Sequence, residues 1–234
     1  MKNFILMILL TLCLLGVGAQ VKAADVLKKT TAEQIVKDTY LLVGYMGLKG
    51  EADYAVANNI IKAALFGAFD ARARFDLEQE TRQEEHKKPL PQTSPLFHVQ
   101  NKAVRAQDVV FRDQQESFFK GLPEECNVFV SLEASELAAL RFTGHKIANH
   151  ASFKDKGELG LGDVRLAKNG YYFTVEGLGD LPMEPELRAI KPKENGYVLT
   201  GILNPTMDDG QKERTFTITI TPGEVKGTWL RSFR

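Results

Sequence analysis

Two of the chain's four histidines, His145 and His150, fall within the stretch GHKIANH. Imidazoles this close are the side chains best able to hold a transition metal or move a proton near neutral pH. Their spacing argues against a shared ligand. Five residues turn an α-helix through about 140° net, whereas ligands on one face stand four apart, as in His-Glu-x-x-His. No Asp or Glu cluster flanks the pair to complete a coordination shell. The expectation is two separate histidines beside a helix bent or broken at Gly144, with no metal site.

Cys126, a second candidate nucleophile, follows Glu124 and Glu125, whose carboxylates disfavour the reactive thiolate. It reads as a small buried hydrophobe at a strand start, with pairing to another chain left open. GELGLGDV places Gly160, Gly162 and Asp163 before a strand rather than at a helix start, so it lacks the amides and dipole of a phosphate site. NPTMDDGQKE has a calcium-loop look, but setting Gly210 at the sixth position puts Pro205 at the first ligand. A tight Asp-Gly turn explains it better. Glu184 and Glu186 flank Pro185 in what reads as a solvated loop, and His86 sits in the polar run EQETRQEEHKK at a helix end. No Gly-x-Ser-x-Gly or Ser-x-x-Lys is present. No catalytic, cofactor-binding or metal-ligating residue is therefore assigned.

Aromatic side chains offer binding rather than chemistry. Tyr171, Tyr172, Phe173, Tyr197, Trp229 and Phe233 all fall in strand-like segments, where alternation sends some of them to one face. Tyr171, Phe173, Tyr197 and Trp229 are the candidate lining of a pocket for a small apolar ligand, and core packing is the competing reading.

The elements that must position these residues change character along the chain. Thr30 and Glu33 have capping-box spacing. Ile35, Thr39, Leu42, Val43 and Met46 then recur near a helical period until Gly47 and Gly50. A second helix from Glu51 carries Val56, Ile60, Leu65, Phe69 and Phe75 and ends in the polar run. After Pro89, Pro91 and Pro95, the segment from Gln100 to Pro123 predicts a third helix with Val104, Phe111, Phe118 and Phe119 on its apolar face. Asn127–Leu132 predicts a strand, and the segment from Ser135 a helix.

From Gly157 onward the texture becomes short alternating runs. Asn169-Gly170 and Asn195-Gly196 each precede a tyrosine between apolar runs, a hairpin signal. Phe216, Ile218 and Ile220 alternate with Thr215, Thr217, Thr219 and Thr221, as in a sheet with one buried face. Six strands in an antiparallel meander follow from this reading. The fold class is α+β: a helical region over 24–122, then an α+β region over 123–234, with their packing into one domain left open. In layout the meander would form a cup, as in NTF2-like cone folds, or roll into a small barrel. No motif carries an activity over from that likeness.

The N-terminus bears on location. Lys2, an apolar run from Phe4 to Gly18 and the small residues before Ala23 have the layout of a secretory signal peptide. The run is shorter than the roughly 20 residues a membrane-spanning helix needs, which favours cleavage, after Ala23 or after Ala19. Removal of residues 1–23 takes two lysines and leaves 28 basic against 30 acidic residues. That balance recruits neither nucleic acid nor an anionic membrane. Only Cys126 survives processing, which excludes an intrachain disulfide.

The expected protein is exported, periplasmic or secreted, and works by binding an unknown small apolar ligand or an envelope protein, without stable membrane insertion. The alternative is a small-pocket enzyme using scattered residues such as His145, Asp163 and Glu176. Mass spectrometry of the protein from its native host should find an N-terminus at Ala24 or Gln20; an intact Met1 in the envelope fraction would show an uncleaved anchor.

Overall fold

A computed structural model describes residues 27–56, 58–155, 161–175, 181, 183–206 and 212–234. The leader, Gly157 and Gly160, Glu176, and Asp208, Asp209 and Gly210 of the calcium-like stretch lie outside them.

Helix α1 (Lys29–Met46) starts one residue before the expected capping box, with Lys28 as N-cap and no side-chain cap bond. Glu33 instead stands 3.7 Å from Lys29 across one helical turn. The helix ends as the glycine predicts. Gly47 adopts φ 66°, and the amides of Gly47 and Leu48 return to Val43 and Leu42, a left-handed stop that satisfies the last carbonyls.

Apolar residues on α1 serve two different cores. Ala32, Ile35, Val36 and Tyr40 pack with the C-terminal strands, and Leu41 and Leu42 pack with the other helices. A helix buried on two sides is central, which explains why Asp38 between these groups is buried as well.

A short helix α2 (Glu51–Tyr54) precedes the long α3 (Asn59–Glu84), so the second expected helix is interrupted. Val56 falls in the break and is 57% exposed rather than on the core stripe. The third expected helix does not form. β1 (Pro95–Val99) precedes that segment, and the segment's own residues make β2 (Lys102–Arg105), a 3-10 turn, β3 (Val109–Phe111) and a second 3-10 turn at Glu116–Phe119.

Local and tertiary reasons combine here. Gln100 takes φ 54° in the turn joining β1 to β2. Phe97 and Val99 alternate inward, and β-branched Val104 and Val109 suit a pleated surface. Buried Arg72 on α3 then supplies donors to the carbonyls of Ala106 and Val109, which a helix would have bonded internally.

β4 (Val128–Ser131) runs into α4 (Leu132–Thr143), whose N-cap Ser131 accepts from the Ala134 amide at 3.2 Å. Gly144 at φ 81° ends α4 rather than bending it. The six expected C-terminal strands divide between two sheets. β6 (Asp163–Ala167) and β7 (Gly170–Phe173) join a five-stranded antiparallel sheet of order β3-β4-β7-β6-β5, with β5 at Phe153–Lys154. β8 (Met183–Lys193), β9 (Gly196–Pro205), β10 (Arg214–Pro222) and β11 (Trp229–Phe233) form the four-stranded meander.

The fold is thus α+β with antiparallel sheets. Among the described residues neither sheet closes into a barrel. The predicted alternation holds, since Phe216, Ile218 and Ile220 are buried between partly exposed threonines. Their inner face is covered by α1.

Helices α3 and α4 meet at Gly67, where an added Cβ would lie 2.4 Å from the Phe142 ring. Gly67→Ala should therefore cost about 1–3 kcal/mol through overpacking, read as a lower urea midpoint with an unchanged m-value. An unchanged midpoint would mean that the two helices separate without cost.

Candidate functional site

Three elements distant in sequence bring charge into the seam between the cores. α1 contributes Asp38, α4 contributes Arg141, and β11 contributes Arg231, whose neighbours in register, Trp229 and Phe233, pack with the same core. Arg141 holds the Asp38 carboxylate in a fork, Nε to Oδ2 at 3.0 Å and Nη2 to Oδ1 at 3.1 Å. Gln34 donates to Oδ1 at 2.8 Å. Arg231 Nη2 lies 3.9 Å from Oδ2 and donates to the Arg141 carbonyl. The Arg141 guanidinium also sits over the rings of Phe97 and Phe142, 4.6 and 5.1 Å from their centroids.

Hydrogen bonding in this cluster is incomplete. Arg231 is only 3% exposed, yet its Nε and Nη1 have no partner among the described residues. Two guanidinium groups share one carboxylate, so the seam carries an excess positive charge. Burial lowers the Arg231 pKa, opposed by Asp38 and by Tyr54. Tyr54 itself is pushed up to about 12, chiefly by burial.

On one side this cluster opens into a pocket of about 280 Å³ lined by Gln34, Lys37, Asp38, Asp70, Arg74 and Arg141, with Leu96 and Phe142. Arg74 binds Asp70 at 2.7 Å. Burial raises the Asp70 pKa, opposed by Arg74. A second pocket of about 320 Å³ shares Lys37, Leu41 and Arg74 with the first and adds Tyr40, Leu181, Met183, Glu184 and Pro185. A charged chamber and a more apolar one therefore adjoin along α1.

The residues singled out by sequence lie elsewhere. His145 bonds Glu224 through Nδ1 at 3.0 Å, while Nε2 lies 3.2 Å from a Glu51 carboxylate oxygen without making a hydrogen bond among the described residues. His150 pairs Nδ1 with the Tyr171 hydroxyl at 2.8 Å and Nε2 with Glu136 at 3.4 Å. Burial pushes Tyr171 up to about 12. The two histidines thus serve separate links, and no group of three metal-binding residue types converges among the described residues.

Asp163 is a surface carboxylate 3.6 Å from Lys154 and 3.7 Å from Arg165. Cys126 is buried, and burial raises its thiol pKa. Gly162 takes φ 58° just before β6. Glu186 pairs with Arg188 at 3.0 Å, while Glu184 lines the apolar chamber. Tyr171 and Phe173 are fully buried in the first core. Tyr197 and Trp229 meet edge to face, with centroids 5.9 Å apart, in the second. The four residues are therefore split between two cores, and none lines the two chambers.

Sequence reasoning passed over Asp38, Arg141 and Arg231, although two of them left a trace. Asp38 interrupts the apolar run of α1, and Arg231 interrupts the Trp229, Phe233 alternation. A charge at an inward position is buried only with partners, and neither partner is near in sequence.

Removing Asp38 leaves buried Arg231 and half-buried Arg141 without that counter-charge, so Asp38→Ala should cost about 3–5 kcal/mol. Asp70 behaves oppositely. Its folded pKa lies above the unfolded value, so its contribution to stability declines as pH rises from the unfolded to the folded pKa. Asp70→Asn should remove that slope. Urea unfolding of both variants across mildly acidic pH checks the pair, and equal losses at every pH would contradict it.

No protein-family model, curated protein or solved structure matches this chain, so the geometry of its own side chains carries the functional reading.

Proposed function

We propose that the chain is an exported binding protein, periplasmic or secreted, that takes up a small, mainly apolar ligand bearing one anionic end and performs no chemistry on it. The observation that carries this reading is the junction of two chambers. One is lined by Lys37, Arg74 and Arg141 together with Asp38, Asp70 and Glu78; Arg74 and Arg141 are paired with Asp70 and Asp38, which leaves Lys37 as the cation available to an anionic end. The other is lined by Tyr40, Leu41, Leu181, Met183 and Pro185. Apolar walls with a few converging polar groups are the usual make-up of small-ligand sites.

Charge and shape divide the work in such a site. Leaving water supplies the attraction for an apolar body, at roughly 25 cal/mol per Å² buried. A carboxylate meeting guanidinium or ammonium donors fixes its orientation, because charge-assisted hydrogen bonds are short and directional. Export rests on the leader-like N-terminus. Among the described residues no helix is long and apolar enough to cross a membrane.

Isothermal titration with octanoate, 1-octanol and inorganic phosphate separates the two contributions. Octanoate should bind saturably and more tightly than either of the others, since only it engages both chambers. Lys37→Ala should weaken octanoate about tenfold or more, in line with about 1.5–3 kcal/mol for a hydrogen bond to a charged group, and leave 1-octanol unchanged. Equal binding of octanoate and 1-octanol, or none of any probe, would reject the reading.

A further inference from the structure

A separate cleft of about 960 Å³ lies at the far end of α3, where the polar tail of the helix meets the proline-rich connection and the segment from Gln107 to Gln115. Its lining is dominated by one residue type. Gln79, Gln83, Gln92, Gln107, Gln114 and Gln115 all contribute, joined by the apolar side chains of Pro89, Leu90 and Val110.

Two of the six amides build the walls. Gln79 grips the backbone of Leu90 in both directions, donating to its carbonyl at 2.7 Å and accepting from its amide at 2.8 Å. Gln114 bridges Arg72 and Asp76. The side chains of Gln83, Gln92, Gln107 and Gln115 are exposed and make no hydrogen bond among the described residues. At the rim His86 holds φ 55° and ends α3 as a left-handed stop, its amide returning to Gln83 and that of Lys87 to Arg82.

We infer that this cleft is a binding site for a neutral oligosaccharide. A primary amide donates and accepts on the same edge. It therefore matches a ligand whose groups also do both, and hydroxyls on a sugar ring are such groups. The charges around the cleft are largely matched internally. Arg72 pairs with Asp76 at 3.0 Å, and Lys87 with Glu85 at 2.7 Å, which favours an uncharged ligand.

The volume is at the upper end of the roughly 300–1,000 Å³ typical of small-ligand sites, leaving room for more than one ring. Pro89, Leu90 and Val110 can meet the apolar faces of those rings. An extended peptide fits less well. It would need a free strand edge, but β3 beside the cleft already gives its Val109 carbonyl to Arg72 and its Phe111 carbonyl to the amides of Gln114 and Gln115.

Proton–nitrogen correlation spectra of the labelled protein test the site directly, with chitotetraose, cellotetraose, maltotetraose and acetyl-tetraalanine amide as probes. At least one saccharide should shift the side-chain amide signals of Gln83, Gln92, Gln107 and Gln115 saturably. Its affinity should fall about tenfold or more in Gln83→Ala/Gln107→Ala, from two lost hydrogen bonds. Both positions are exposed, so the backbone signals of the variant should otherwise stay in place. No shift with any of the three sugars, shifts that survive the double substitution, or a stronger response to the peptide would overturn the inference.

Discussion

Asp38 is the residue on which the architecture turns. α1 stands between two hydrophobic cores, and a carboxylate on its buried side is tolerable only if cations reach it from both neighbours. Arg141 reaches it from α4 and Arg231 from β11. The helical layer and the meander therefore meet across one shared carboxylate at the seam. Apolar burial supplies most of the attraction between the layers, but apolar contact is non-directional. A forked arginine–carboxylate pair fixes how the surfaces meet.

Two buried arginines in this protein show what a completed and an incomplete environment look like. Arg72 binds Asp76 through Nε, the carbonyls of Ala106 and Val109 through Nη1, and Gln114 through Nη2. It fastens the β1–β3 segment to α3, and each of its three nitrogens has a partner. Arg231 is buried to the same degree, yet two of its nitrogens lack partners among the described residues. An uncompensated buried donor costs about 1–3 kcal/mol, more when charged. That cost is tolerated beside a pocket whose lining balances Lys37, Arg74 and Arg141 against Asp38, Asp70 and Glu78. Structural need accounts for Arg72; it does not by itself account for Arg231.

What was legible in the sequence followed from local physics. The left-handed stop at Gly47 and the period-2 burial of Phe216, Ile218 and Ile220 each depend on residues within a few positions. What was not legible depended on remote partners. The segment from Gln100 to Phe119 has aromatic spacing compatible with a helix, but Arg72 on α3 and the edge of β4 offer its backbone better partners. The hairpin of β6 and β7 looks like the start of the meander, yet it pairs with β4. Hairpin signals fix neighbours, not the sheet that the hairpin joins. The candidate site was the least visible feature, because its charged residues come from four elements and meet only after those elements pack.

The stretch GHKIANH illustrates how chemical residue types can mark a place without performing chemistry there. Gly144 ends α4 at φ 81°, and an added Cβ would meet the backbone of Trp229 at 2.6 Å. Only glycine lets the helix end approach β11 this closely. The Gly144 carbonyl then accepts from the Glu224 amide at 2.9 Å, and His145 accompanies that bond with its contact to the Glu224 carboxylate. The turn between β10 and β11 is thereby fastened to the end of α4 at Glu224, seven residues before Arg231. The histidine that resembles a ligand is part of the fastener that keeps the third member of the charged cluster in register.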